Sequence, residues 1–232
     1  MTKLRQNRIF PLVFRITSIG IIIAGILLTC IYDGAFHISA LMFYTLQSNI
    51  LVLFLFILLA YQTIFDLIKM GKKGMASYYE TFEFVCLIDI LVTFFIYWIM
   101  LAEPTGDSGI SSLFHFSNLC VHGITPLLVL FDYFLFTLPK KPMIKNVFLT
   151  WLFPLSYVVF SSIMGASGYV YFYEGDLKIH YPYFFLDFDK LGSMVALYVS
   201  LLLLFFTGLG FGIYFIDKKR LKQFNKPWNK NA

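Results

Sequence analysis

Six stretches of mostly apolar residues recur along this chain, at about 13–32, 41–64, 81–102, 114–137, 147–168 and 193–216. Each is long enough to cross a bilayer as a helix, which takes roughly 20 apolar residues. The segments between them are too short for a separate soluble domain, and none is of low complexity. The pattern predicts an all-α polytopic membrane protein, a single domain of six transmembrane helices over residues 1–232.

Composition agrees. Of the 232 residues 59% are apolar and 13% charged, whereas soluble domains carry charge on about a quarter of theirs. The charges are sorted by side. Lys3, Arg5, Arg8 and Arg15 lie before or at the very start of span 1, and Lys69, Lys72 and Lys73 follow span 2. Lys140, Lys141 and Lys145 follow span 4, and Lys218, Lys219, Arg220, Lys222, Lys226 and Lys230 follow span 6. The opposite loops hold only Lys178 and Lys190, against Asp33, Glu103, Asp107, Glu174, Asp176, Asp187 and Asp189. The positive-inside rule then puts both termini in the cytoplasm and makes residues 217–232 a basic cytoplasmic tail of a multi-pass cell-membrane protein. Flanking charge accounts for the net +5 without a nucleic-acid partner, and the tail suits anionic lipid headgroups. Span 1 has the basic start of a signal peptide, but no small-residue cleavage site follows, so it is expected to stay as a membrane span. Cys30, Cys86 and Cys120 all fall within spans without paired spacing, which argues against disulfides and zinc. No other metal or cofactor is implied.

Polar residues inside the spans change the picture from architecture to chemistry. In span 4, His115, Asn118 and His122 are three and four residues apart and share a helix face; Thr45, Ser48 and Asn49 do the same in span 2. Both stripes begin near the outer surface. A hydroxyl beside an imidazole is the minimum for nucleophilic catalysis, because an alcohol is weak until a base takes its proton. Thr45 is the candidate nucleophile and His122 the base. Asn118 and Asp89 are alternative partners to fix the histidine tautomer, and Asn49 is a candidate donor to a developing oxyanion. Asp89 lies mid-span and shares a face with Thr93; a charge at that depth costs about 2.5–3.5 kcal/mol, so it needs a partner or a proton. Pro126 leaves the carbonyl of His122 without its helical donor and opens the backbone there, and Pro154 does the same to Thr150. Asp132, Glu83 and Glu80 fall near the inner ends of their spans, as interfacial charges or helix-pairing contacts. Gly208 and Gly212 have small-xxx-small spacing for close helix packing. The longest outer loop carries Tyr181, Pro182 and Tyr183 in an aromatic stretch that suits either an interfacial belt or a cap over the site.

Three motifs also carry a resemblance: Tyr-Thr-Leu-Gln-Ser-Asn-Ile-Leu-Val at 44–52, Ser-Asn-Leu-Cys-Val-His-Gly-Ile-Thr-Pro-Leu-Leu-Val-Leu-Phe-Asp at 117–132 and Tyr-Pro-Tyr-Phe-Phe-Leu-Asp-Phe-Asp-Lys-Leu-Gly at 181–192. With the six-helix layout, the chain resembles the bacterial six-transmembrane branch related to the androgen-induced protein family. Animal members of that family are membrane hydrolases of fatty acid esters of hydroxy fatty acids that use a threonine and a histidine. The resemblance implies Thr45 and His122 in those roles and a lipid-like ester as substrate, drawn from membrane lipids; the animal motif sets its proline one residue farther from the histidine. Two other functions fit the same residues. One is a transporter or channel for a small solute or protons, built around Asp89. The other is a non-catalytic lipid-binding protein whose polar groups only hold helices together.

Overall fold

The computed structural model describes residues 6–32, 34–102, 113–139 and 141–225. Lys3, Arg5, Asp33, Glu103, Asp107, Lys140, Lys226 and Lys230 lie outside the described residues. Six helices are long and apolar enough to span a membrane: Ile9–Cys30, Tyr44–Met70, Glu80–Leu101, Phe116–Leu135, Ile144–Ala166 and Met194–Phe224. They are numbered as spans 1 to 6. The only sheet among the described residues is in two small hairpins, Ile31–Tyr32 with Ala35–Phe36 and Phe172–Glu174 with Leu177–Ile179, both at the end of the bundle opposite the termini.

The boundaries differ from the sequence pattern where charged residues prolong a helix past its apolar stretch. Span 1 starts at Ile9, and span 2 runs on through Asp66 and Lys69 to Met70. Span 6 continues to Phe224, so the expected basic tail begins as helix; its residues 226–232 lie outside the described residues. Span 5 is broken at Thr150–Trp151, between helices Ile144–Leu149 and Leu152–Ala166, four residues before Pro154 as a missing amide requires.

Spans 2, 3 and 4 form the centre, with 44% of the apolar window of span 3 buried against 17% for span 6. Their interior is packed by Val52, Leu55, Phe56, Leu87, Ile88 and Ile90. Spans 1, 5 and 6 turn large side chains such as Val13, Leu152 and Leu204 outward, the surface a lipid-facing helix presents. Gly25 lets span 1 approach span 4 closely, since a Cβ there would lie 2.7 Å from that of Cys120. The glycine pair expected to pack span 6 does not do so. A Cβ at Gly208 or Gly212 meets nothing within 4 Å, whereas one at Gly210 would sit 2.9 Å from Val147, because the contact face falls between the two.

Arginines tie the termini end together. Arg15, expected as a flanking charge, is instead fully buried in span 1, because span 1 begins earlier and carries it into the bundle. Its Nε and Nη2 donate to the two carboxylate oxygens of Asp132 at 2.9 and 3.0 Å, and its Nη1 donates to Thr63 at 2.9 Å. Glu83 lies 4.0 Å away and accepts from Thr137 at 2.7 Å. Asp132 and Glu83 are thus helix-pairing contacts. Arg8 donates to the carbonyls of Gly71 and Lys73. Arg220 donates to Asp217 at 2.7 Å and to the carbonyl of Thr137 at 2.9 Å.

Candidate active site

At the opposite end, spans 3 and 4 both leave α-helical geometry where they face each other. Residues Tyr97–Leu101 and Cys120–Ile124 are π-helical turns. Such turns hold one residue more than an α-turn and recur at functional sites. In span 4 the cause is Pro126, which has no N–H for the carbonyl of His122. That carbonyl, in a membrane interior, needs another donor, and it accepts a 3.0 Å hydrogen bond from the indole Nε1 of Trp98. The proline therefore opens the backbone at His122, as its position in the sequence implies, and span 3 fills the gap.

Thr45 comes to this point from the first turn of span 2. Phe43, the cap, is extended (φ −84°, ψ 143°), so the helix begins at Tyr44 and Thr45 faces span 4. Its hydroxyl lies 3.2 Å from Nε2 of His122. The other ring nitrogen, Nδ1, lies 2.7 Å from Oδ1 of Asn118. The amide group of Asn118 is oriented by its neighbours: Nδ2 donates to the carbonyl of Leu113 at 2.8 Å, which can only accept, and to the hydroxyl of Tyr97. With Oδ1 turned to the histidine, Nδ1 must carry the hydrogen and Nε2 is left with its lone pair toward Thr45. That is the tautomer a general base requires. Tyr97 also covers the imidazole face, with ring centroids 3.7 Å apart and planes 15° from parallel, so the ring is fixed by packing as well as by hydrogen bonding.

The other polar candidates separate from this trio. Asp89 is not the orienting partner: it is fully buried and accepts from the hydroxyl of Tyr44 at 3.5 Å, on the side of span 3 that faces spans 2 and 5. Asn49 is not free to donate to an oxyanion, because its Nδ2 is committed to the carbonyls of Thr45 at 2.8 Å and Val121 at 3.0 Å. It braces the backbone of span 2 at Thr45 and of span 4 at Val121 instead. Ser48 joins Thr93 at 2.9 Å, and His115 is exposed at the head of span 4. The two stripes therefore each contribute one end to the site and use the remainder to hold spans 2, 3 and 4 in register.

The aromatic loop folds over this end. Tyr181 is buried with its ring in a notch at Gly165, where a Cβ would come within 2.2 Å. Pro182, also buried, carries the chain to Tyr183, which turns inward; its ring stacks on Phe185, centroids 5.2 Å apart. Burial pushes the Tyr183 phenol above its ordinary pKa, and its surroundings at Thr45 and Tyr44 pull it part of the way back. The loop thus packs over this end, anchored by Tyr181, and Tyr183 lines a cavity together with Thr45. This cavity, of about 70 Å³, is lined by Thr45, Tyr97 and Tyr183 and by apolar groups that include Val158, Leu202 and Phe206.

Tyr97, Trp98 and the inward turn of Tyr183 are not apparent from helical spacing. The available clue was the unpaired carbonyl that Pro126 must leave at His122. Among the described residues no group of three or more His, Cys, Asp or Glu is placed to hold a metal. Comparison with protein-family models, with curated proteins and with solved structures returned no match.

Proposed function

We propose that the protein is an integral membrane hydrolase of lipid esters, in which Thr45 attacks the ester carbonyl and His122, held by Asn118, removes and later returns the proton. The observation that carries this reading is the continuous relay from Thr45 Oγ1 to His122 Nε2 at 3.2 Å and from His122 Nδ1 to Asn118 at 2.7 Å. A nucleophile, a base within hydrogen-bond reach and a group that orients the base form the arrangement shared by unrelated acyl-transfer enzymes. The apolar lining beside Thr45 suits an acyl chain. At about 70 Å³ the cavity holds water but not a lipid, since ligand pockets take some 300–1,000 Å³. Substrate entry therefore requires the half of span 5 beyond Thr150–Trp151 to move. That half packs on the Phe184–Leu186 turn and shares an apolar cluster with Val195 of span 6, and its break near Pro154 is a natural hinge.

Charge sorting favours cytoplasmic termini and, with them, a site in the outer half of the cell membrane, in reach of outer-leaflet lipid. The motif resemblance to the bacterial branch related to the androgen-induced protein family points to the same pair and the same substrate class. Solute passage is the weaker reading. Between Asp89 and the Arg15 cluster, Leu55, Phe56, Leu59 and Val129 close around Glu83 and Asp132 with no room for water.

The test is hydrolysis of a long-chain p-nitrophenyl ester by the purified full chain in detergent. Thr45→Ala and His122→Ala should each abolish turnover while leaving the melting temperature within a few degrees. Undiminished turnover in either variant would sink the assignment.

A further inference from the structure

The cavity at Thr45 is too small for a lipid, yet a larger space lies along the same helices. A groove of about 640 Å³ is lined by Leu51 of span 2, Phe82 and Val85 of span 3, and Leu152, Phe153 and Ser156 of span 5. That volume falls within the range of ligand pockets, roughly 300–1,000 Å³. The groove opens on the outside of the bundle, where Leu152 is 69% exposed. Apart from Ser156, its polar residues, Tyr79, Glu80 and Thr81, gather at the end nearest the termini. The remaining wall has no group to hold a polar head and suits a hydrocarbon chain, which is held by dispersion alone.

Groove and cavity are aligned. Tyr44 and Val92 line the cavity, and Leu51 and Val85 line the groove. On each span the two residues are seven apart, close to two helical turns, so both spaces use the same face of span 2 and the same face of span 3, about 10 Å apart along the axis. Where they adjoin, Tyr44 of the cavity meets Phe153 of the groove, with ring centroids 5.4 Å apart. The Tyr44 hydroxyl donates to Asp89 over a long 3.5 Å, and the second carboxylate oxygen of Asp89 is buried without a hydrogen-bond partner. Phe153 follows the Thr150–Trp151 break by two residues, so the movement of span 5 that entry requires carries its ring away from Tyr44. Resting on the hydrolase reading above, we propose that the groove is the binding site for the fatty acyl chain of the ester, with Tyr44 and Phe153 as the gate through which the chain joins the Thr45 cavity. The carbonyl then lies at Thr45 and the chain runs inward along spans 2 and 3, the direction a lipid chain takes from its own leaflet. Asp89, which does not orient His122, holds the gate ring instead.

The deciding measurement is photolabelling of the purified full chain in detergent by a palmitate ester that carries a diazirine in the distal half of its chain. Expected is label on the 82–85 segment of span 3, in the native chain and in Thr45→Ala alike, and its loss in Ser156→Trp, where an indole fills the groove. Label no richer at 82–85 than at an outward residue such as Leu204, which is 66% exposed, would overturn the proposal. Kinetics with p-nitrophenyl palmitate and p-nitrophenyl butyrate give a second readout. The palmitate-to-butyrate ratio of kcat/KM should fall about tenfold in Ser156→Trp, the lower end of what a methylene in an apolar pocket discriminates; an unchanged ratio refutes the groove as the chain site. If Ser156→Trp does not fold, Leu51→Trp fills the same space from span 2, and the label on the native chain needs no variant. Thr45→Ala separates the two claims. Retained turnover there overturns the hydrolase reading itself, whereas a dead Thr45→Ala without label at 82–85 overturns only the groove.

Discussion

Replacing Asp132 by Ala would leave the guanidinium of Arg15 buried with Thr63 as its nearest partner. Arg15 is fully buried and the Asp132 side chain is 3% exposed, so neither charge is relieved by solvent. Removing one partner of such a pair costs roughly 3–5 kcal/mol. Glu83 recovers part of this, since it already lies 4.0 Å from the guanidinium and its Oε1 has no hydrogen-bond partner. The expected loss is therefore near the lower end, about 3 kcal/mol, or about 6–12 °C in melting temperature for a chain of this size. In a Glu83→Gln background the same substitution should cost more, because the reserve carboxylate is gone. Replacing both Arg15 and Asp132 by apolar residues should recover most of the stability, since a dry pair exchanged for packed side chains is often neutral or better. The assay is thermal unfolding in detergent, with Phe131→Ala as the control, a neighbouring residue 51% exposed on the outer face of the bundle. A loss for Asp132→Ala no larger than for Phe131→Ala would refute the buried pair.

Asn118→Ala should lower kcat of ester hydrolysis by up to ~10⁴-fold, the penalty seen when a catalytic histidine is held in the wrong tautomer, with a much smaller change in KM; steady-state kinetics on the purified variant decide this. Gly165→Ala would drive a methyl to within 2.2 Å of the Tyr181 ring, at about 1–3 kcal/mol of overpacking, and should raise proteolysis of the 169–192 loop in a limited-digestion assay. Tyr78, in the loop before span 3, has its phenol pushed up to about 12, first by burial and then by its hydrogen bond to Asp66. A value raised in the folded state gives stability that is complete below the unfolded pKa of about 10 and lost as pH rises toward 12. The melting temperature of the native chain should therefore fall across that window, and Tyr78→Phe should flatten the fall.

The six spans were legible because a bilayer imposes a minimum apolar length, and the Thr45–His122 meeting was legible because each residue belongs to a polar stripe that starts at the same end of the bundle. Pro126 announced the open backbone at His122 by the amide it lacks. What could not be read depended on helix rotation and on where a span begins. Asn118 and Asp89 were equivalent partners for His122 until the turn of span 3 sent Asp89 toward Tyr44. Asn49 looked free because a sequence does not show that the carbonyl of Val121 lies 3.0 Å from its amide. Arg15 looked like a flank because only the earlier start of span 1 carries it into the interior. Gly208 and Gly212 had the right spacing on the wrong face, with Gly210 between them at the contact.

The π-turn at Cys120–Ile124 also acts as a phase shifter along span 4. An α-helix advances about 100° per residue, so one additional residue in a turn offsets everything above it from everything below by about that angle. The face that carries Asn118 and His122 is thereby set separately from the face that carries Asp132, which must meet Arg15. Were this turn to relax to α-helical geometry with all five residues kept, as loss of Pro126 would allow, both halves would stay helical, yet one half would be wrongly clocked against the other by about 100°. The bundle could then satisfy its arginine staple or align its relay, but not both, which makes this one turn the gear that couples the stability of one end to the chemistry of the other.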